Sequence, residues 1–120
     1  MGVEENKELA RRFIEVANNL HGKPENIPAY INEFFAPEFV AHISTGDMNI
    51  EEFEEFERRI VTMFPDGHHT IDRLIAEDDI VVIQRTATTG QQSFRAADIF
   101  RIANGKFIEG WAIAEVPPPD

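Results

Sequence analysis

The chain has 120 residues, 42% of them hydrophobic, enough for one packed core and for a single domain over residues 1–120. It contains no cysteine, which excludes disulfides, thiolate metal sites and a cysteine nucleophile. With 22 acidic against 11 basic residues the formal net charge is −11, which opposes phosphate backbones and anionic membranes, so neither nucleic acid nor membrane is an expected partner.

The first six residues, Met1 to Asn6, are acidic and lack an apolar signal region, and no stretch has the apolar length of a membrane span. A soluble, cytoplasmic protein is the expectation. Leu9, Phe13, Val16, Ala17 and Leu20 recur at helical spacing and predict a first helix, which Gly22 can stop. A shorter helix after Pro24 or Pro28 carries Ile27, Tyr30, Ile31, Phe34 and Phe35, and Pro37 ends it. Phe39 to Ile43 reads as a short strand. Asn49 with Glu52 three residues on has the form of a capping box for a third helix, whose buried stripe is Ile50, Phe53, Phe56, Ile60 and Phe64. The glutamates 51, 52, 54, 55 and 57 read as its solvated face, placed early as the helix dipole favours.

After the Pro65-Asp66-Gly67 turn the period changes to that of strands. They are expected over 70–76, 80–88, 94–102 and 106–116, separated by Glu77-Asp78-Asp79, Thr89-Gly90-Gln91 and the hairpin pair Asn104-Gly105. Residues 117–120, Pro-Pro-Pro-Asp, read as a frayed tail. Helices first and an antiparallel meander after them predict an α+β fold with the helices on one sheet face. Apolar residues on both strand faces imply that the other face is covered, by a second copy or by curvature of the sheet.

Five segments in order carry a resemblance: Asn6 to Glu15, Phe34 to His42, Phe64 to Gly67, Leu74 to Val82 and Asp98 to Trp111. They are similar to SnoaL-like proteins of the nuclear transport factor 2-like superfamily, over nearly the whole chain. The resemblance implies a cone: three helices against a strongly curved antiparallel sheet around an apolar pocket, often dimeric through the outer sheet face. Its relatives include polyketide cyclases, ketosteroid isomerases, dehydratases, epoxide hydrolases and non-catalytic binding proteins, so the fold alone does not choose an activity.

Within that frame, Ile108, Gly110, Ala112 and Ala114 alternate as small or aliphatic residues on the last strand, which predicts space for a ligand on the concave face. Asp98 shares its face with Phe94, Ala96, Phe100 and Ile102. A carboxyl in such company is either a general acid or base with a raised pKa, or the partner of Arg85, Arg95 or Arg101. His42 matches the family's histidine and is the second catalytic candidate; the other reading is a satisfied core histidine. Arg85, in a β-branched strand, needs a carboxylate or a ligand oxyanion. Tyr30 and Trp111, the only tyrosine and tryptophan, are candidates for the pocket wall with Phe100, Gly110 and Ala112. His68 and His69 are adjacent on a strand and point to opposite faces, so they are not expected to share a metal ion; no cofactor is expected.

Two departures from the family stand out. The residue after the final-strand tryptophan, acidic in the cyclases, is Ala112, and only residues 86–97 separate Arg85 from Asp98, which leaves no lid. The expected function is therefore binding of a small, largely apolar molecule. The alternatives are a cyclase, isomerase or hydratase using Asp98 with His42, and a non-catalytic dimerisation or interaction domain.

Overall fold

A computed structural model describes residues 2–115, so the expected tail at 117–120 lies outside the described residues. Helix α1 spans Val3–Asn18 and a 3-10 turn, Pro24–Asn26, leads into α2, Ile27–Phe34. Strands β1 (Phe35–Ile43) and β2 (Gly46–Asn49) form a hairpin before α3 (Ile50–Met63). Strands β3 (His68–Glu77), β4 (Ile80–Thr89), β5 (Gln92–Ala103) and β6 (Lys106–Ala114) follow.

Local chemistry sets these boundaries. Asn49 Oδ1 accepts from the Glu52 backbone N–H at 2.9 Å and Glu52 Oε1 accepts from that of Asn49 at 3.1 Å, the reciprocal cap expected for α3. Asn104 (φ 53°) and Gly105 (φ 73°) both take the left-handed region, as a two-residue hairpin of this twist requires. The helix expected to run to Pro37 stops earlier. Phe35 is already extended and starts β1, while Pro37, which has no N–H for a ladder, lies in the irregular stretch of register between Phe35 and Val40. Strand β2 is not among the sequence expectations.

The sheet order is β2-β1-β6-β5-β4-β3. The expected meander is present as β3 to β6, but the sheet is mixed, because β1 runs parallel to β6. The three helices pack on one face: α1 on β3 and β4, α3 on β1 and β2, and α2 between α1, α3, β1 and β6. That is the expected α+β arrangement of three helices on a curved sheet.

The concave core is aromatic. Phe13 touches Tyr30, Phe34, Phe35, Phe100 and Phe107 with ring centroids 5.1–5.8 Å apart, mostly edge to face. Phe100 stacks on Phe107 at 4.1 Å. This packing corrects the expectation of open space along β6. A Cβ on Gly110 would stand 2.8 Å from the Phe100 ring and 3.2 Å from Phe39, so the volume that glycine frees is filled by phenylalanine. Ile108 falls at a register shift between β5 and β6, which breaks the simple alternation assumed there.

Candidate active site

Cross-strand register assigns every candidate to a face. Ala41, Gly110, Phe100 and Val81 lie side by side on the concave face, and the next row on that face holds Ala112, Asp98, Ile83 and Leu74. Arg85 pairs with Ala96 and His69 with Ala87, so both also face inward. A bulge between Ile71 and Arg73 keeps both His69 and Leu74 on the inner side of β3.

Arg85 and Asp98 are diagonal neighbours on β4 and β5. Arg85 Nε donates to Asp98 Oδ2 at 2.7 Å and Nη2 donates to Oδ1 at 3.4 Å. Their side chains are only 17% and 11% exposed, so each charge depends on the other. Of the partners open to Asp98 from sequence, Arg85 is the one that holds it. Arg95 pairs with Glu115, and Arg101 with Asp79 and Glu109.

The remaining inward hydrogen-bond direction of Arg85 goes to a histidine: Nη1 lies 3.0 Å from His69 Nδ1. His69 Nε2 in turn lies 3.0 Å from His21 Nε2, and His21 Nδ1 lies 2.7 Å from the Phe64 carbonyl. The backbone of His69, on the edge strand, is held by Asn18 at the end of α1. Asn18 Oδ1 accepts from its N–H at 2.7 Å and Nδ2 donates to its C=O at 2.9 Å. Burial above all, and then the positive charge of Arg85, push the His69 pKa from 6.5 down to about 3. His69 is therefore neutral at physiological pH.

Two further groups meet this cluster from the helices. Glu57 sits on α3 one turn after Phe53 and one turn before Val61, both buried. Burial, reinforced by the Asp98 carboxylate and opposed by Arg85, raises its pKa from 4.5 to about 7. Tyr30, 4% exposed, stacks on Phe13 at 5.6 Å. Burial, then the charges of Glu57 and Asp98, raise its phenol well above its usual 10. No hydrogen bond to the Glu57 carboxyl or to the Tyr30 hydroxyl is among the causes of either shift.

Glu57 is the residue that reading the glutamate run as a solvated face misses. The signal was available: Phe53, Glu57 and Val61 stand at i, i+4 and i+8, so Glu57 lies inside the apolar stripe. His21 and His69 had no comparable signal, because their meeting depends on the turn at 64–67 and on strand register.

His42 is not part of this site. Its register partner is Trp111, followed across the sheet by Ile99, Val82 and Ile75, all on the convex face. There its Nδ1 lies 2.7 Å from Asp47 and its Nε2 2.8 Å from Glu109, with the ring stacked on Trp111 at 5.2 Å. The expectation that Asp98 and His42 address one cavity is corrected on that ground: adjacent strand residues alternate faces, and the register sends these two to opposite sides. Trp111 leaves the expected pocket wall for the same reason. Phe100 and Gly110 belong to the aromatic core, while Ala112 sits opposite Asp98 in register and is exposed. Open grooves lie elsewhere, along α1 beside Leu9 and along α3 beside Met48.

Residues 10–110 match the family profile described as the SnoaL-like domain. No curated protein matches the chain. Among solved structures, AclR from Streptomyces galilaeus, described as a candidate hydroxylase, superposes with TM-score 0.82 at 18% identity over 95% of this chain and 91% of that one. A SnoaL-like protein of unknown function from Burkholderia thailandensis gives 0.80 at 17% identity over 97% and 99%. A candidate SnoaL-like polyketide cyclase from Jannaschia gives 0.75 at 19% identity over 93% and 86%. At these identities the likeness is one of fold.

Proposed function

The chain belongs to the SnoaL-like domain family, and within it we propose that it binds a small, largely apolar molecule at the polar end of its core and moves a proton on it with Glu57. The observation that carries this reading is a half-buried carboxyl on the apolar stripe of α3, set beside a fixed ion pair, with its pKa raised to about 7. A general acid or base works best when its pKa lies near the working pH. Glu57 meets that condition at about 7. Asp98 is committed to Arg85 and adds a fixed negative charge to the burial that raises Glu57. Glu57 as the carboxylate takes the ligand's proton and becomes the carboxylic acid that returns it, while the Tyr30 hydroxyl, whose pKa is raised, donates to the ligand carbonyl. No metal or other cofactor enters this scheme.

The test is exchange of acidic C–H protons for solvent deuterium in a panel of cyclic 1,3-diketones and aryl ketones, followed by proton NMR. Exchange is expected to speed up with an inflection near pH 7, and Glu57→Gln is expected to remove about 10²–10⁴-fold of it. Exchange that survives in Glu57→Gln would overturn the role of Glu57. If ligands bind by chemical-shift perturbation and none exchanges, binding without catalysis is the function. The exposed Ala112, where cyclases of the family carry an acid, favours that second reading.

The convex face supports a partner proposal. Trp111, Ile99, Val82 and Ile75 form an apolar row across four strands, and Ile75 and Ile113 are 53% and 63% exposed. A second copy of the chain covers this row. Sedimentation velocity is expected to report a dimer that Val82→Lys converts to a monomer; a monomeric wild type would refute it. Among the described residues no helix is long and apolar enough to cross a membrane.

A further inference from the structure

The contact between His21 and His69 has only one consistent proton arrangement. A guanidinium can only donate, so His69 Nδ1, 3.0 Å from Arg85 Nη1, is an acceptor and carries no proton. The His69 proton is then on Nε2, which donates across 3.0 Å to His21 Nε2. His21 Nε2 is therefore bare, and the His21 proton sits on Nδ1, where it donates to the Phe64 carbonyl at 2.7 Å. Every donor meets an acceptor when both rings are neutral and of opposite tautomer. Protonating His69 would aim an N–H at Arg85, and protonating His21 would aim one at the His69 N–H.

The turn between α3 and β3 is built around this chain. Gly67 leaves room for the His21 ring, since a Cβ there would come within 2.5 Å of His21 Nδ1. The Phe64 carbonyl also accepts from the Gly67 N–H at 3.0 Å. Asp66 fastens the turn to the β4–β5 hairpin, accepting from Thr89 Oγ1 at 2.8 Å and from the Gly90 N–H at 2.6 Å. Arg85 faces the His69 ring, His68 is next to it in the chain but on the other sheet face, and Asp66 is beside His21; Asp98, Glu57 and Tyr30 lie around Arg85 itself.

We propose that His21 and His69 are a positioning pair, locked as complementary neutral tautomers between the Phe64 carbonyl and the Arg85 guanidinium, that fixes Arg85 on Asp98. The two bonds to Asp98 hold one edge of the guanidinium, and the bond to His69 holds a third N–H and so fixes its plane. Only the consequence for Glu57 rests on the proton-transfer reading above; the lock itself does not.

Long-range proton–nitrogen NMR of the whole protein tests it, with His21 and His69 assigned by single substitution. The wild type is expected to show His69 protonated on Nε2 and His21 on Nδ1, with His69 still neutral at about pH 5, well below its ordinary 6.5. His69→Asn keeps an acceptor where Nδ1 stands, whereas His69→Leu keeps bulk and loses the acceptor. Exchange of the Arg85 Nε–H is expected to stay near wild type in His69→Asn and to rise about tenfold in His69→Leu, as loss of one charge-assisted bond implies. A side chain valued only for packing would give the reverse order. Gly67→Ala, which displaces the His21 ring without removing it, is expected to break the contact with His69 Nε2 and so release the fixed Nδ1–H tautomer of His21. His21 found with its proton on Nε2, His69 titrating near 6.5, or equal Arg85 protection in Leu and Asn variants would each overturn the lock. An intact lock together with proton exchange indifferent to Glu57→Gln would refute only the function proposed for Glu57.

Discussion

His69 and His42 stand on strands of one sheet, each near an arginine and carboxylates, yet their pKa values move in opposite directions. His69 faces inward and meets the arginine directly, so burial and the Arg85 charge hold it neutral. His42 faces outward and meets carboxylates on both ring nitrogens, Asp47 first and then Glu109, so its pKa is raised and its charged form is favoured. In both places the carboxylate–arginine chemistry is the same; what differs is which group stands next to the ring and how much water reaches it. A histidine read from sequence as a site residue has its charge decided by strand parity.

The strongest way to break the inner arrangement is to remove Arg85. Arg85→Met strands Asp98 with its charge buried and deprives His69 of its donor, and a loss of roughly 3–5 kcal/mol is expected in urea denaturation. Arg85→Met combined with Asp98→Leu is expected to recover most of it, since a well-packed apolar pair often matches a buried ion pair. Next in size is a test of packing on the two faces. Gly110→Ala drives a methyl into Phe100 and is expected to cost about 1–3 kcal/mol. Ala97→Val, on the convex face, is expected to stay within about 0.5 kcal/mol.

Glu57 and His69 can be separated by pH. Glu57 holds its proton more tightly folded than unfolded, so it makes stability fall as pH rises from 4.5 to about 7. His69 holds its proton less tightly when folded, so it makes stability fall as pH drops from 6.5 to about 3. The two slopes oppose each other between 4.5 and 6.5. Glu57→Gln is expected to stabilise the protein by about 2 kcal/mol at pH 8 and hardly at all at pH 4, leaving the His69 slope exposed. Equal melting temperatures for wild type and Glu57→Gln at pH 8 would show that Glu57 is not burdened by burial.

How far the sequence discloses all this follows from the range of the interactions. The α3 cap, the Asn104-Gly105 hairpin and the β3–β6 meander depend on neighbours in the chain and are legible there. The parallel pairing of β1 with β6 joins residues about seventy positions apart, as in His42 opposite Trp111, and has no local signature. Asp98 with Arg85 was foreseeable as one of three pairings, because they sit thirteen residues apart across a single hairpin. Glu57 was legible by helical period but hidden among four glutamates that do face solvent or the helix edge. The His21–His69 contact spans 48 residues and needs the register of β3, the bulge after Ile71 and the space at Gly67 together.

The smallest expected effect belongs to His42, on the outer face of the sheet. Its side chain is 28% exposed and Asp47, its nearer partner, is 67% exposed, so solvent screens the pairing. Its folded pKa is raised, so whatever stability it supplies is complete below the unfolded value of 6.5 and fades as pH climbs through the higher folded value. His42→Gln should therefore lower the melting temperature slightly at pH 6, less at pH 9, and less again in 1 M salt, where the screening length falls to about 3 Å. Arg85→Met should keep its large loss at both salt concentrations, because little solvent reaches that pair. If salt weakened the inner pair as much as the outer one, the contrast between the two faces would rest on chemistry alone and not on burial.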